Sequence, residues 1–282
     1  MKIKIVAKTD IGHHREQNED SFTFCPDLRH PEWEKTKSHI NLGEFGSLLA
    51  VADGMGGTYA GEVASSLSIE TIKKQFSPSK IASVIQDERQ IMNFLSETVR
   101  LADKAIDDVA EQRPETYGMG TTIVICWILN KKAYIAWCGD SRCYIYSKES
   151  GLKALTKDHS LVQEEVDRGE ITEEEAFYHP NNSIITRGLG DFGADTIPDI
   201  AIQTIHPNDI VLLCSDGLCG YCSNHTIEKI LKSKGSRLNR CCNELIQTAL
   251  KSGADDNITI VLATLLNNNS WFHFLSPFKN RE

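Results

Sequence analysis

Short apolar runs bounded by turn residues alternate with two long amphipathic stretches, and the change of period sketches the fold. Ile3 and Ile5 alternate with Lys2 and Lys4, which predicts a strand over Lys2–Ala7 with one buried face. A turn containing Gly12, His13 and Asn18 leads to a second strand, Ser21–Phe24. Residues 25–47 are polar and hold Pro26, Pro31 and two glycines, so they read as a long loop. Leu48–Ala52 is apolar throughout and predicts a strand buried on both faces. The period then lengthens. Val63, Leu67, Ile72 and Phe76 give a helix over Tyr59–Phe76, and Ile91, Leu95, Thr98, Ala102, Ile106 and Val109 a second, stronger one.

Three strands follow, Thr121–Leu129, Lys132–Trp137 and Cys143–Ser147, close enough in sequence to suggest an antiparallel meander. Residues 160–180 turn acidic and helical, with Ser160 and Thr172 as N-caps and Thr172-Glu173-Glu174-Glu175 as a capping box. A strand at Asp209–Cys214, two helices within Ile227–Leu250 broken near Gly235, and a strand at Ile258–Leu265 complete the order. Strands, two helices, strands, two helices and a last strand suit an α+β arrangement better than a repeated βαβ sheet. No internal repeat or linker interrupts the chain, which predicts one domain over residues 1–266 and a short apolar tail over 267–282.

Composition narrows the function classes. The 282 residues carry a formal charge of −9 with no basic patch, which argues against a nucleic-acid backbone as partner. No apolar run reaches the roughly 20 residues of a membrane span, so none is expected. The start Met1-Lys2-Ile3-Lys4-Ile5-Val6 is too short an apolar segment for a secretory signal. Several of the nine cysteines, Cys126, Cys138 and Cys214 among them, lie inside apolar runs and read as reduced hydrophobes. The pair Cys219 and Cys222 lacks the second ligand pair of a structural zinc site. A cytoplasmic protein is the expectation.

The chemistry lies in the acids. Asn18-Glu19-Asp20, Ala52-Asp53-Gly54-Met55-Gly56-Gly57, Gly139-Asp140-Ser141-Arg142, Ser215-Asp216-Gly217 and Asp255-Asp256-Asn257 mostly stand where an apolar run meets a turn. Taken singly, an Asp-Gly after a strand is more often a turn than a site. Carboxylates converging from several strand ends would repel one another unless a cation neutralises them, and an oxygen-only set favours Mg²⁺ or Mn²⁺. Two such ions suit hydrolysis at phosphorus. Arg15, three residues before Asn18, would reach an anion held there and grip it as a fork.

These segments, with Gly120-Thr121-Thr122, Leu155-Thr156-Lys157-Asp158-His159 and Thr186-Arg187-Gly188-Leu189-Gly190-Asp191, follow one another over residues 10–261 in an order that resembles the metal-dependent type 2C protein phosphatases, the PPM family. Each motif alone is weak; eight in register are specific. The resemblance implies a four-layer α/β/β/α sandwich, two antiparallel sheets flanked by helices, and hydrolysis of phosphoserine and phosphothreonine in proteins. It implies that Asp53 bridges two Mn²⁺ or Mg²⁺ ions, that the Gly54 carbonyl and Glu19 bind one and Asp216 and Asp256 the other. It further implies that Asp20 orients the attacking water, that Arg15 binds the phosphate, and that Asp140 helps hold a third, weaker ion. The segment 161–185 corresponds to a flap beside the cleft.

Met55 departs from the animal branch, which has His there, and matches the bacterial one, leaving His13, His14, His159 or water as the general acid. The partners implied are phosphorylated proteins, the substrates of a eukaryotic-like Ser/Thr kinase, met by a monomeric enzyme. Two other classes compete: a non-catalytic phosphoprotein-binding relic, which would be free to lose these ligands, and a two-metal hydrolase of other phosphoesters.

Overall fold

In the computed structural model, β1 (Lys2–Asp10) and the final strand run side by side over their whole lengths, so the two ends of the domain close one sheet. The structure describes residues 1–35, 40–56, 60–192, 196–235 and 237–267; the expectations for Gly57, Tyr59 and the tail beyond 267 lie outside them. After β1 come β2 (Asp20–Cys25), β3 (Ile40–Asn41) and β4 (Ser47–Met55), then α1 (Ala60–Gln75), α2 (Pro78–Ile81) and α3 (Glu88–Gln112). The middle of the chain holds β5 (Gly120–Thr121), β6 (Ile123–Leu129), β7 (Lys132–Cys138), β8 (Arg142–Ser147) and β9 (Gly151–Ala154). Next are α4 (Leu161–Asp167), α5 (Glu173–Phe177), β10 (Leu189–Gly190), β11 (Asp199–Thr204) and β12 (Ile210–Cys214). The chain closes with α6 (Asp216–Cys219), α7 (Asn224–Lys234), α8 (Leu238–Lys251) and β13 (Ile258–Leu266).

Two antiparallel sheets result, ordered β3-β1-β13-β12-β8-β9 and β10-β5-β4-β6-β7-β11, with β2 also paired to β4. Three apolar layers explain why the central strands read as unbroken hydrophobic runs. Along β4, Leu49 and Val51 face the other sheet, while Leu48, Ala50 and Ala52 face α1 and α3. Along β6, Val124, Cys126 and Ile128 point inward and Ile125, Trp127 and Leu129 toward the helices. The second sheet is covered by α7 and α8, where Cys241, Cys242, Leu245 and Ala249 repeat at helical spacing. This is the expected four-layer sandwich. All nine cysteines are buried and free, so Cys126, Cys138 and Cys214 fill apolar space as their runs suggest, and Cys219 and Cys222 lie in the core with them.

One expectation fails. The strands β6, β7 and β8 are not a meander: β7 pairs with β6 and β11 in one sheet, and β8 pairs with β12 and β9 in the other. The chain crosses between sheets at Gly139, whose φ of +111° an L side chain rarely adopts. A Cβ there would lie 2.6 Å from the Thr122 side chain. The crossing matters because it carries Asp140 into the gap between the sheets. The sequence pattern also gives no hint of β9, β11 or the short α6. The exposed strand β11 lacks a clean alternation of buried and exposed positions. By contrast the acidic stretch folds as expected: Ser160 and Thr172 cap α4 and α5, and the Thr172–Glu175 capping box forms on both sides. No helix among the described residues is long and apolar enough to cross a membrane.

Candidate metal centre

Antiparallel pairing sets Asp20 on β2 directly opposite Asp53 on β4. Cross-strand partners point to the same side, so two like charges share one face, an arrangement that destabilises a sheet unless a proton or a cation neutralises it. Asp53 and Gly54 are not in a turn after the strand, as the run of glycines suggests, but within β4 itself. Asp216 opens α6 at the end of β12, and Asp256 stands two residues before β13. Glu19 and Arg15 come from the loop between β1 and β2, and Asp140 from the crossing after β7. Five segments far apart in sequence meet here.

The electrostatics confirm the crowding. Burial, then the charges of Asp20, Asp216, Asp140 and Asp256, holds the Asp53 carboxyl well above the ordinary range. Asp20 is pushed up to about 8, by burial first and despite hydrogen bonds from hydroxyls, and Asp216 to about 6 by burial and Asp256. Asp140 is raised by burial and Asp216. Glu19 is raised by burial, with Arg15 opposing. Such a cluster spends folding stability on a concentration of negative charge.

Arg15 sits on that charge. Its Nη2 donates to Asp256 Oδ2 at 2.6 Å, and its Nη1 lies 3.9 Å from Glu19 Oε2. The side chain is about half exposed, so the fork can turn from the carboxylate toward an incoming anion. Among the described residues no three acidic, thiol or imidazole side chains are already gathered into a finished cage. Arg15 occupies Asp256, and the charge of Asp216 crowds Asp53.

The donor set nevertheless fits hard cations. Asp20 Oδ1, Asp140 Oδ1 and Asp216 Oδ1 are buried without any hydrogen-bond partner. A buried carboxylate oxygen left unpaired is costly, and three around one cleft are best satisfied by oxygen-seeking ions. Gly54 adds a cradle: a Cβ there would lie 2.2 Å from the Gly61 carbonyl oxygen and 2.6 Å from that of Glu19. Only glycine lets these backbones approach so closely.

Neutral side chains that the spacing marks as structural, or does not mark at all, hold the acids in place. Asn257, 3% exposed, accepts from the Glu19 N–H at 2.7 Å and donates to the Ile11 and Gln17 carbonyls at 2.9 Å each. Ser215 accepts from the Thr259 N–H at 2.9 Å and donates to Asp20 Oδ2 at 2.8 Å, which leaves Oδ1 of that acid free. Thr122 accepts from the Asp53 N–H at 3.0 Å, and Thr121 donates to the Asp53 carbonyl at 2.8 Å. Thr121 also donates locally, to the Thr122 carbonyl at 2.9 Å, but the pair's clamp on a strand some seventy positions away carries no signal in the spacing. Ser215 and Asn257 do have one, since each is a polar neighbour of a candidate ligand at the edge of an apolar run.

Replacing Asn257 by Ala should cost about 2–3 kcal/mol, because the buried amide ties together three partly buried backbone groups at once. It should also weaken Mn²⁺ binding roughly tenfold or more through the released Glu19 loop. Urea melts and calorimetric titration would check both, and an unchanged midpoint would exclude the hub role.

The histidines are engaged elsewhere. His13 Nε2 donates to the Leu250 carbonyl at 2.9 Å, His14 Nδ1 to Asp255 at 2.6 Å, and His159 faces Gly139.

The comparisons with known proteins agree with this fold. A family model described as protein phosphatase 2C matches residues 9–258. A protein of Streptococcus pyogenes serotype M6 named putative protein phosphatase 2C-type is 35% identical over 260 residues, covering 92% of this chain and 96% of its own. The serine/threonine phosphatase stp of Listeria innocua is 34% identical over 255 residues, covering 90% of this chain and 93% of its own. Among solved structures, the catalytic domain of the serine/threonine protein phosphatase PstP in complex with two manganese ions superposes with a TM-score of 0.73. It is 32% identical and covers 94% of this chain and 99% of that one.

Proposed function

The chain belongs to the protein phosphatase 2C family, and from that premise we propose how its own residues divide the work. It is a serine/threonine protein phosphatase, a metal-dependent hydrolase of phosphoserine and phosphothreonine in proteins. Residues 1–266 make up the catalytic domain, with 161–185 as a flap.

Asp53, the Gly54 carbonyl and Glu19 would hold one Mn²⁺ or Mg²⁺, and Asp53, Asp216 and Asp256 would hold the other. When bound, the two ions supply the Lewis-acid charge that activates water and neutralises phosphoryl oxygens. Asp20, steered by the Ser215 hydroxyl, keeps Oδ1 free to orient the attacking water and take up its proton. Arg15 leaves Asp256 to fork onto the phosphate, which places the substrate where that water attacks. Asp140, on the crossing between sheets, would help hold a third and weaker ion.

The observation that carries these roles is the set of three buried, unpartnered carboxylate oxygens, on Asp20, Asp140 and Asp216, from segments far apart in the chain. A non-catalytic relic would have no need to keep so costly a cluster intact. The physiological partners are phosphoproteins modified by a eukaryotic-like Ser/Thr kinase. The enzyme works as a monomer in the cytoplasm, in line with the acidic balance and the nine free thiols.

A phosphothreonine peptide should be hydrolysed in Mn²⁺, and release of phosphate should stop in EDTA. Turnover that survives EDTA would overturn the metal-dependent assignment. Arg15→Ala should raise KM for the phosphopeptide about tenfold while Mn²⁺ affinity changes little. Steady-state kinetics that return the parent KM would show that the guanidinium does not meet the phosphate.

A further inference from the structure

His159 stands where the flap meets the crossing between the two sheets, and its backbone groups and ring Nδ1 bond to one or the other. The Gly139 N–H donates to its ring Nδ1 at 3.1 Å, and its own N–H donates back to the Gly139 carbonyl at 3.0 Å. Its carbonyl accepts from the Thr186 N–H at 2.8 Å, beside the bridge between Ser160 and Ile185 that closes the root of the flap. The ring is 4% exposed and stacks on Trp137, with centroids 6.1 Å apart and planes inclined by 17°. Nε2 lies 3.3 Å from Asp199 Oδ2, within ion-pair range but not aligned for a hydrogen bond, and Asp199 accepts from Arg187, just past the flap, at 3.2 Å. On the other side Asp158 receives a three-bond fork from Arg142, two residues after Asp140.

We propose that His159 is a positioning residue, its neutral ring with the proton on Nε2 pinning the Gly139 peptide, and with it Asp140, to both ends of the flap root. A backbone N–H can donate only to a lone pair, so Nδ1 carries no proton and the remaining N–H must be on Nε2, facing Asp199. Burial and Arg187 both disfavour the charged ring, which agrees with that tautomer. Gly139 needs such a hold. Its φ of +111° is open to glycine, which has many other conformations to visit, so two hydrogen bonds are what select this one. A turn loosened by an ångström would move Asp140 away from the other acids, and displacements of that size cost up to about a hundredfold in rate. The consequence for rate rests on the assignment of Asp140 to the reaction centre; the hold on Gly139 does not.

Three measurements on the full chain separate these points. In a long-range ¹H–¹⁵N spectrum at pH 7, His159 should show a protonated Nε2 and a bare Nδ1. A proton on Nδ1 overturns the proposal without recourse to any variant. His159→Phe keeps the stacking on Trp137 but cannot accept from Gly139. It should speed exchange of the Gly139 amide at least about tenfold and lower kcat by about tenfold, with KM within about twofold. His159→Asn, whose amide oxygen takes the place of Nδ1, should recover most of both losses. Parent-like exchange and kcat in the Phe variant, or equal damage in the Asn variant, would reduce His159 to core packing. If the Phe variant does not fold, the ring spectrum and the Asn variant decide the matter. Asp140→Asn probes the assignment of Asp140 by itself: full activity there removes the effect on kcat, while the tautomer and the exchange rate still judge the hold.

Discussion

Asp53→Asn should abolish turnover, lowering kcat by about a thousandfold or more, on the order of 4 kcal/mol of transition-state stabilisation. The amide can neither bridge two cations nor carry the charge that holds them. The fold should survive, and the reason lies in the geometry. Asp53 faces Asp20 across the β2–β4 pair, and its carboxyl is crowded by Asp216, Asp140 and Asp256 as well. Removing one of several like charges relieves the cluster, so the variant stripped of metal should melt no lower than the parent. Its backbone clamp, from Thr121 and Thr122, is made by main-chain atoms of residue 53 and is untouched. Phosphate release, circular dichroism and thermal melting would be compared in parallel. Full activity would remove Asp53 from the centre; an unfolded variant would contradict the claim that the cluster costs stability.

The second large effect concerns pH and metal together. Asp20, Asp53 and Asp140 all ionise at higher pH in the folded protein than the unfolded chain would allow. The folded state therefore keeps protons that the unfolded state has released, and stability must fall as pH rises toward the folded values. For Asp20 the window runs from its ordinary 3.8 to about 8. His159 is depressed, so it acts in the opposite sense, but only below its ordinary 6.5. Between pH 6.5 and 7.5, below the range where buried thiols held above their ordinary 9.0 would add a loss of the same sign, the acids are thus seen nearly alone.

Protein in EDTA should lose about 2–3 kcal/mol across that interval, a drop of roughly 5–10 °C in melting temperature. Saturating Mn²⁺ should remove most of the drop, since cations replace the protons and bind more tightly as those protons leave. A melting temperature in EDTA that is flat over this interval would mean that the carboxylates do not interact as their placement implies.

Both effects come from residues that local sequence order is enough to name as candidates. Asp53, Asp140 and Asp216 stand beside apolar runs, and Glu19, Asp20 and Asp256 recur in short acidic motifs. The two strong helices, the capped acidic segment and the doubly buried strands are equally legible. Each depends on the period or chemistry of neighbours within a few positions.

Partnership across distance is what pattern does not carry. The expected meander fails because a turn at Gly139 looks the same whether the next strand stays in its sheet or leaves for the other. Asn257, Ser215 and Thr122 look like ordinary polar residues until strand register sets them against Glu19, Asp20 and Asp53.

Along the chain alone, this protein's element types, its core stripes and the identity of its acids are already determined, because those follow from side-chain period and residue chemistry. Tertiary structure alone decided which carboxylates share a face, which of their oxygens go unpaired, and which neutral side chains hold them. Those depend on register between strands up to some 250 positions apart, which no local pattern encodes.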